Sequence, residues 1–242
     1  MWDGELRRRF VADPRGELVP GLSPSLARRI STREVAGIEE SAYYRIASCA
    51  RAIATVFEHG SVLLNAFGGL RYLETLLRDY LDAPAPMRGT YELFDGYILA
   101  PRAIHVARTF DFDEGARWIV DVLEFEWAVW HSRRCALGWE PLVRPPASFK
   151  RPVFLLGMSF ELQALIDDIV RMRAANVPEA VYRWRCIPNF GRSTFLLVFD
   201  TGNDIGTVEL TEDAYDNVRG YMSAGSRLDA DLHAVLTDHG VV

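Results

Sequence analysis

The placement of proline constrains this chain more than any other single feature. Residues 25–58 and 103–138 contain none, whereas Pro141, Pro145, Pro146 and Pro152 crowd one short segment. Proline removes a backbone donor and clashes with the preceding helical turn. Long proline-free stretches rich in Ala, Arg and Glu therefore read as helices, and a proline cluster reads as a boundary or semi-rigid connector. The expected organisation is a helical domain over 1–140, a connector over 141–152, and a module of different character over 153–242. The fold class is α+β.

Within the first part, Ser41 to Phe57 places Tyr44, Ala47, Ile53, Ala54 and Phe57 at helical spacing. Leu70, Leu73, Leu77, Tyr80 and Leu81 repeat that pattern. Gly68 and Gly69 separate the two runs, and Pro84 and Pro86 stop the second. A third helix is predicted from Glu114 to Arg134. At ~100° per residue, Trp118, Ile119, Val122, Leu123, Phe125, Val129 and Trp130 fill a wide apolar arc. Glu126 falls inside that arc, while Asp121, Glu124 and His131 fall outside it. A carboxylate on an apolar face must find a partner or hold a proton. Arg133 stands too far along the helix to serve. Glu126 is thus read as structural, held by an arginine or a helix N-terminus elsewhere. The acids of Asp111-Phe112-Asp113-Glu114 are expected to cap the same helix.

The last part changes period. Val153–Leu156 reads as a short strand and Phe160–Ala175 as a helix carrying Leu162, Leu165, Ile166, Ile169, Val170 and Met172. Tyr182-Arg183-Trp184-Arg185-Cys186 alternates apolar and basic residues, as a half-exposed strand does. Thr194–Phe199 and Ile205–Leu210 make a hairpin about the turn sequence Asp200-Thr201-Gly202-Asn203-Asp204. Thr211 caps a further helix that Gly225 ends. Ser226 is expected to cap the last one, with Leu228, Leu232, Val235 and Leu236 buried and Gly240 near its stop. A few strands and small helices of this kind describe a winged-helix-like module.

Composition narrows the function. A net charge of -6 argues against duplex nucleic acid as the main partner. No apolar run approaches the ~20 residues that span a bilayer, and Met1–Arg7 has no apolar stretch of a secretory signal. Cys49, Cys135 and Cys186 form no disulfide framework. A cytoplasmic chain without a membrane partner is expected. Phe67-Gly68-Gly69 lacks the rest of a phosphate loop. Gly157-Met158-Ser159-Phe160-Glu161 lacks the closing glycine of a nucleophile elbow. Ile205 and Thr211 stand where a calcium loop beginning at Asp200 needs Gly and Glu. His59, His105, His131, His233 and His239 show no metal-ligand spacing, and no Cys-x-x-Cys occurs. No catalytic residue, metal site or cofactor is therefore expected in this chain. Arg183 and Arg185 have two readings: a solvated strand face, or a basic sheet edge that receives an extended peptide.

The first half also resembles a known family. Tyr44-Arg45 near a helix start, Phe57, Gly68 or Gly69, Tyr80, then Pro84 or Pro86, and finally Phe125-Glu126-Trp127-Ala128 follow its Tyr-Arg … Phe … Gly … Tyr … Pro … Leu-Glu-Trp-Ala order. That family comprises the partner subunits of multinuclear non-haem iron-dependent oxidative enzymes, which mature ribosomally made peptides in methanobactin-, thiaglutamate- and copper-storage-like pathways. Leu197-Val198-Phe199 and Val208-Glu209-Leu210-Thr211-Glu212-Asp213-Ala214 are similar to its terminal hairpin and helix. Ile46 and Glu58 stand where the family often has Asn and Pro. The resemblance spans residues 3–135 and 181–240. It implies a non-catalytic subunit, structural roles for Tyr44, Arg45, Phe57, Glu126 and Trp127, and iron held by a separate partner enzyme in a heterodimer. It further implies that the C-terminal module is peptide-recognition-element-like and presents a precursor cysteine to that enzyme. Joined to strand-edge physics, it makes Arg183, Arg185, Thr194, Leu196, Val198, Thr207 and Glu209 the candidate peptide-binding residues. The alternative is a winged-helix-like nucleic-acid-binding regulator with Arg173, Arg183, Arg185 and Arg192 on one face.

Overall fold

A computed structural model describes residues 46–82, 96–139, 141, 143, 145–146, 149–178 and 181–242. Tyr44, Arg45, Pro84 and Pro86 lie outside the described residues. The chain divides into two compact units. One takes Met1–Thr55 and Gly68–Phe110, the other Val56–Phe67 and Asp111–Val242.

The first unit is helical among the described residues: α1 (helical over 46–56), whose last residue passes into the other unit, α3 (Gly69–Asp82) and α4 (Gly96–Thr109). Between α1 and α3 the chain forms α2 (Gly60–Phe67), which belongs to the second unit. The buried stripe of α3 is Tyr72, Leu76, Leu77 and Tyr80. Leu70, expected in that stripe, is 57% exposed. Tyr72 sets the register: its hydroxyl donates to the Ala103 carbonyl at 2.7 Å and its ring meets Phe110 edge-on. Burial holds the Tyr72 phenol well above its ordinary range and pushes the Cys49 thiol up to about 12.

The second unit is built on a three-stranded antiparallel sheet of β1 (Val153–Met158), β2 (Thr194–Asp200) and β3 (Ile205–Leu210) in the order β1-β2-β3. The register pairs Val153 with Phe199 and Phe195 with Leu210. Alternation along β2 sends Leu197 and Phe199 to one face, where they join Val153, Leu210, Val218, Leu228 and Leu236 in a core. That face is covered by α8 (Glu212–Ala224) and α9 (Ala230–Asp238). The other face meets α5 (Ile119–Ala136), with the His131 ring 5.3 Å from that of Phe154. A strand buried on both faces reads as a continuous apolar run, which is why Thr194–Phe199 shows no polar alternation. The remaining elements are a 3₁₀ turn (Asp113–Gly115), α6 (Leu162–Ala174) and α7 (Tyr182–Arg185).

The third helix starts at Ile119, not Glu114: Glu114 and Gly115 have φ of 58° and 65°, which no right-handed helix accommodates. Asp113 opens the 3₁₀ turn instead and pairs with Arg183 at 2.9 Å. His131, placed outside the apolar arc, is fully buried, because α5 packs on α2 and on the sheet together. Tyr182–Arg185 is a helical turn, not a strand. Tyr182 and Cys186, one turn apart, are the buried pair, and the Cys186 N–H donates to the Tyr182 carbonyl. Thr211 does cap α8, accepting from the Ala214 N–H at 3.2 Å, and Gly225 ends it at φ 66°. The cap of α9, however, is Asp229, which accepts from Asp231 and Leu232, not Ser226.

Candidate functional site

Glu126 sits on α5 against the start of α2. Its Oε1 accepts from the His59 N–H at 2.7 Å and lies 2.8 Å from His59 Nδ1, and its Oε2 accepts from the Gly60 N–H at 2.8 Å. One carboxylate thus satisfies two orphan donors at a helix N-terminus and complements its dipole. The hydrogen bond to Glu126 raises the His59 pKa above its ordinary value against an opposing desolvation. Gly60 is required by space: a Cβ there would lie 2.5 Å from Leu123 Cδ2 and 2.9 Å from Glu126 Oε2. Phe57 is buried beside this junction and Trp127 on α5 stacks on Trp130. Both oxygens of Glu126 are engaged at this junction, Oε1 by His59 and Oε2 by Gly60. The geometry is that of a structural clamp.

A second chemistry-bearing pair lies further along α5. Cys135 Sγ is 3.7 Å from His131 Nδ1. Burial pushes the imidazole down to about 4 and the thiol up to about 11, the second shift aided by Asp200. A nucleophilic pair needs thiolate and imidazolium. This pair holds a neutral thiol against a neutral ring. Among the described residues no three His, Cys, Asp or Glu side chains converge in a way that could hold a metal ion.

The hairpin offers a different kind of site. Thr201 N–H donates to the Asp204 carbonyl at 2.9 Å and closes the loop. Antiparallel ladders alternate bonded and non-bonded pairs. Counting from Thr201–Asp204 along the register, Phe199–Gly206, Leu197–Val208 and Phe195–Leu210 are bonded pairs. The backbone groups of Thr207 and Glu209 therefore point away from β2. On the other side the Asp200 N–H reaches the Pro152 carbonyl at 3.5 Å, so the same count turns Val153, Leu155 and Gly157 outward from β1. The β1 edge is the more covered: Val153 is buried and a Cβ at Gly157 would touch the Tyr215 ring. Thr207 and Glu209 are exposed.

The seven candidate residues thus fall into separate places. Thr207 and Glu209 lie on the outer strand. Thr194, Leu196 and Val198 lie on the central strand and are buried; Thr194 donates to the Phe160 carbonyl at 2.8 Å and accepts from the Leu162 N–H. Arg183 is committed inside the unit, to the Ala66 carbonyl and to Asp113. Arg185 is exposed on α7. Arg192 links the two regions, 3.3 Å from Glu209 and 3.6 Å from Glu161. The apolar-basic alternation of 182–186 concealed this arrangement; the buried Tyr182 and Cys186 at helical spacing were the available signal.

Among the described residues no helix is long and apolar enough to cross a membrane. No family model matches the chain, and no curated protein matches it either.

Proposed function

We propose that this chain is a non-catalytic partner subunit that binds a ribosomally made precursor peptide. It presents the peptide's cysteine to a separate iron-dependent oxidative enzyme. The observation that carries the reading is the outer edge of β3. An uncovered strand edge has unsatisfied donors and acceptors, and an extended segment that adds to it supplies the missing partners. Thr207 and Glu209 are the residues whose backbone would pair. The C-terminal part, with its hairpin followed by two helices, is read as a winged-helix-like, peptide-recognition-element-like module. The nucleic-acid reading has less support: Arg173, Arg183 and Arg192 are each paired with carboxylates, which leaves little basic surface for phosphates.

The test uses the full-length chain and a synthetic copy of each short cysteine-containing peptide that its neighbouring genes encode. Thr207→Pro removes an outward N–H without touching a β2–β3 bond. The expected result is at least about a tenfold loss of peptide affinity by fluorescence anisotropy, with the iron enzyme still co-purifying. Unchanged affinity rejects β3 as the binding edge. Turnover or stoichiometric iron in the lone chain rejects the subunit assignment.

A further inference from the structure

β3 lacks the features by which sheet edges avoid pairing with one another. Such edges are blocked by proline, by a bulge or by an uncompensated charge. Residues 205–210 contain no proline, and all six pair with β2 in unbroken register. Glu209 is their single charged side chain, and Arg192 stands 3.3 Å from it. The Asp204 carboxylate takes the Ile205 N–H at 2.8 Å. The outward N–H groups left on β3 are those of Thr207 and Glu209, and both residues are exposed.

We infer that β3 pairs antiparallel with β3 of a second copy of this chain, Thr207 against Thr207, in a two-fold dimer with one continuous six-stranded sheet. The strand is self-complementary in that register. Thr207 meets Thr207, a favourable cross-strand pair. Val208 comes opposite Gly206, where the Phe199 ring fills the space a side chain would take. Glu209 comes opposite Ile205. The two Glu209 residues then stand four positions apart along the strands, about 13 Å, which exceeds the screening length of roughly 8 Å at physiological salt. The neighbouring registers are poorer. Thr207 against Glu209 sets the two carboxylates on a diagonal of about 7–8 Å, and Thr207 against Ile205 carries Glu209 past the end of the ladder. A symmetric contact of this kind closes at two copies.

The dimer rests on the edge itself. Its consequence, that self-pairing and peptide capture exclude each other, rests on the function proposed above. One strand pair makes a contact smaller than a standard interface, so a dissociation constant of about 10–100 µM is expected. Below that range the edge is free. Sedimentation velocity of the full-length chain from about 1 to 500 µM should show a reversible monomer–dimer equilibrium. Thr207→Pro removes the central bonds, and Arg192→Glu leaves Glu209 uncompensated. Each should weaken the dimer at least about tenfold. Arg192→Glu changes an exposed side chain and no backbone group, so it decides the matter should Thr207→Pro fail to fold. A monomer at every concentration, a dimer unchanged in either folded variant, or open-ended assembly would overturn the proposal. A chain that stays monomeric yet binds one of the synthetic peptides would remove the dimer and leave the peptide reading intact. Added peptide should convert dimer to monomer. A dimer that persists with peptide bound would reject β3 as the peptide's edge while the dimer itself stands.

Discussion

The junction around Glu126 and the outer edge of β3 treat the same problem in opposite ways. Both expose the chain to unsatisfied backbone donors: the first at a helix N-terminus, the second along a strand. At the junction one buried carboxylate takes the His59 and Gly60 N–H groups, and Gly60 leaves no room for anything else. At the edge Thr207 and Glu209 are exposed, and their backbone groups point away from β2. The difference separates a part of the molecule whose donors the fold itself takes up from a part whose residues stay exposed. A carboxylate engaged on both oxygens by its own fold is a weaker candidate for function, however conspicuous it is in the sequence.

The comparison can be broken first at Glu126. Glu126→Ala strands the buried Gly60 N–H, the half-buried His59 N–H and the His59 ring, and is expected to cost about 3–5 kcal/mol in urea unfolding. A loss below about 1 kcal/mol would show that the clamp is dispensable. Gly60→Ala is expected to cost about 1–3 kcal/mol, because its Cβ meets Leu123 and Glu126 and α5 is held on its other side by the sheet. If Glu126→Ala relieved that cost in the double variant, the crowding would be traced to the carboxylate.

Acid and base should act on the two histidines in opposite directions. His59 has a raised pKa, so its contribution is fully present below the unfolded value of about 6.5 and is lost as pH rises through the folded value. His131 is depressed to about 4, so the unfolded chain binds the extra proton and stability falls as pH drops from about 6.5 to about 4. Unfolding free energies across pH for the wild type, His59→Gln and His131→Asn separate the two. Loss of both slopes in a single variant would contradict the assignment. The smallest effects belong to the open side. Thr207→Val and Trp184→Ser should each change stability by no more than about 0.5 kcal/mol, and a larger loss of either would mean that the position is packed.

Much of the sheet-bearing unit was legible in the sequence. β3 runs over the predicted Ile205–Leu210, and Thr211 and Gly225 bound α8 where their chemistry places them. Local signals suffice there, since turn, cap and strand each depend on neighbouring residues. Glu126 was legible as a carboxylate in need of a partner, because its place in an apolar arc is a local fact. Its partners were not, since His59 and Gly60 lie more than sixty positions away in sequence. His131 was misplaced for a related reason: an arc drawn for one buried face cannot describe α5, which packs on two. The alternation of Tyr182–Cys186 fits a strand and one helical turn equally over five residues, and only the absence of a pairing strand decides between them. Which residues of the hairpin face outward depended on the strand order, with β2 in the centre, and periodicity alone does not contain that order.

Amide hydrogen exchange read residue by residue on the hairpin, with and without the precursor peptide, tests the central claim most directly. In the free chain Thr207 and Glu209 should exchange rapidly, while Gly206, Val208 and Leu210, bonded to β2, should be protected. Added peptide should slow Thr207 and Glu209 and leave the other three unchanged. Protection of Thr207 and Glu209 already in the free chain, or no change in them at saturating peptide, would contradict β3 as the edge that receives it.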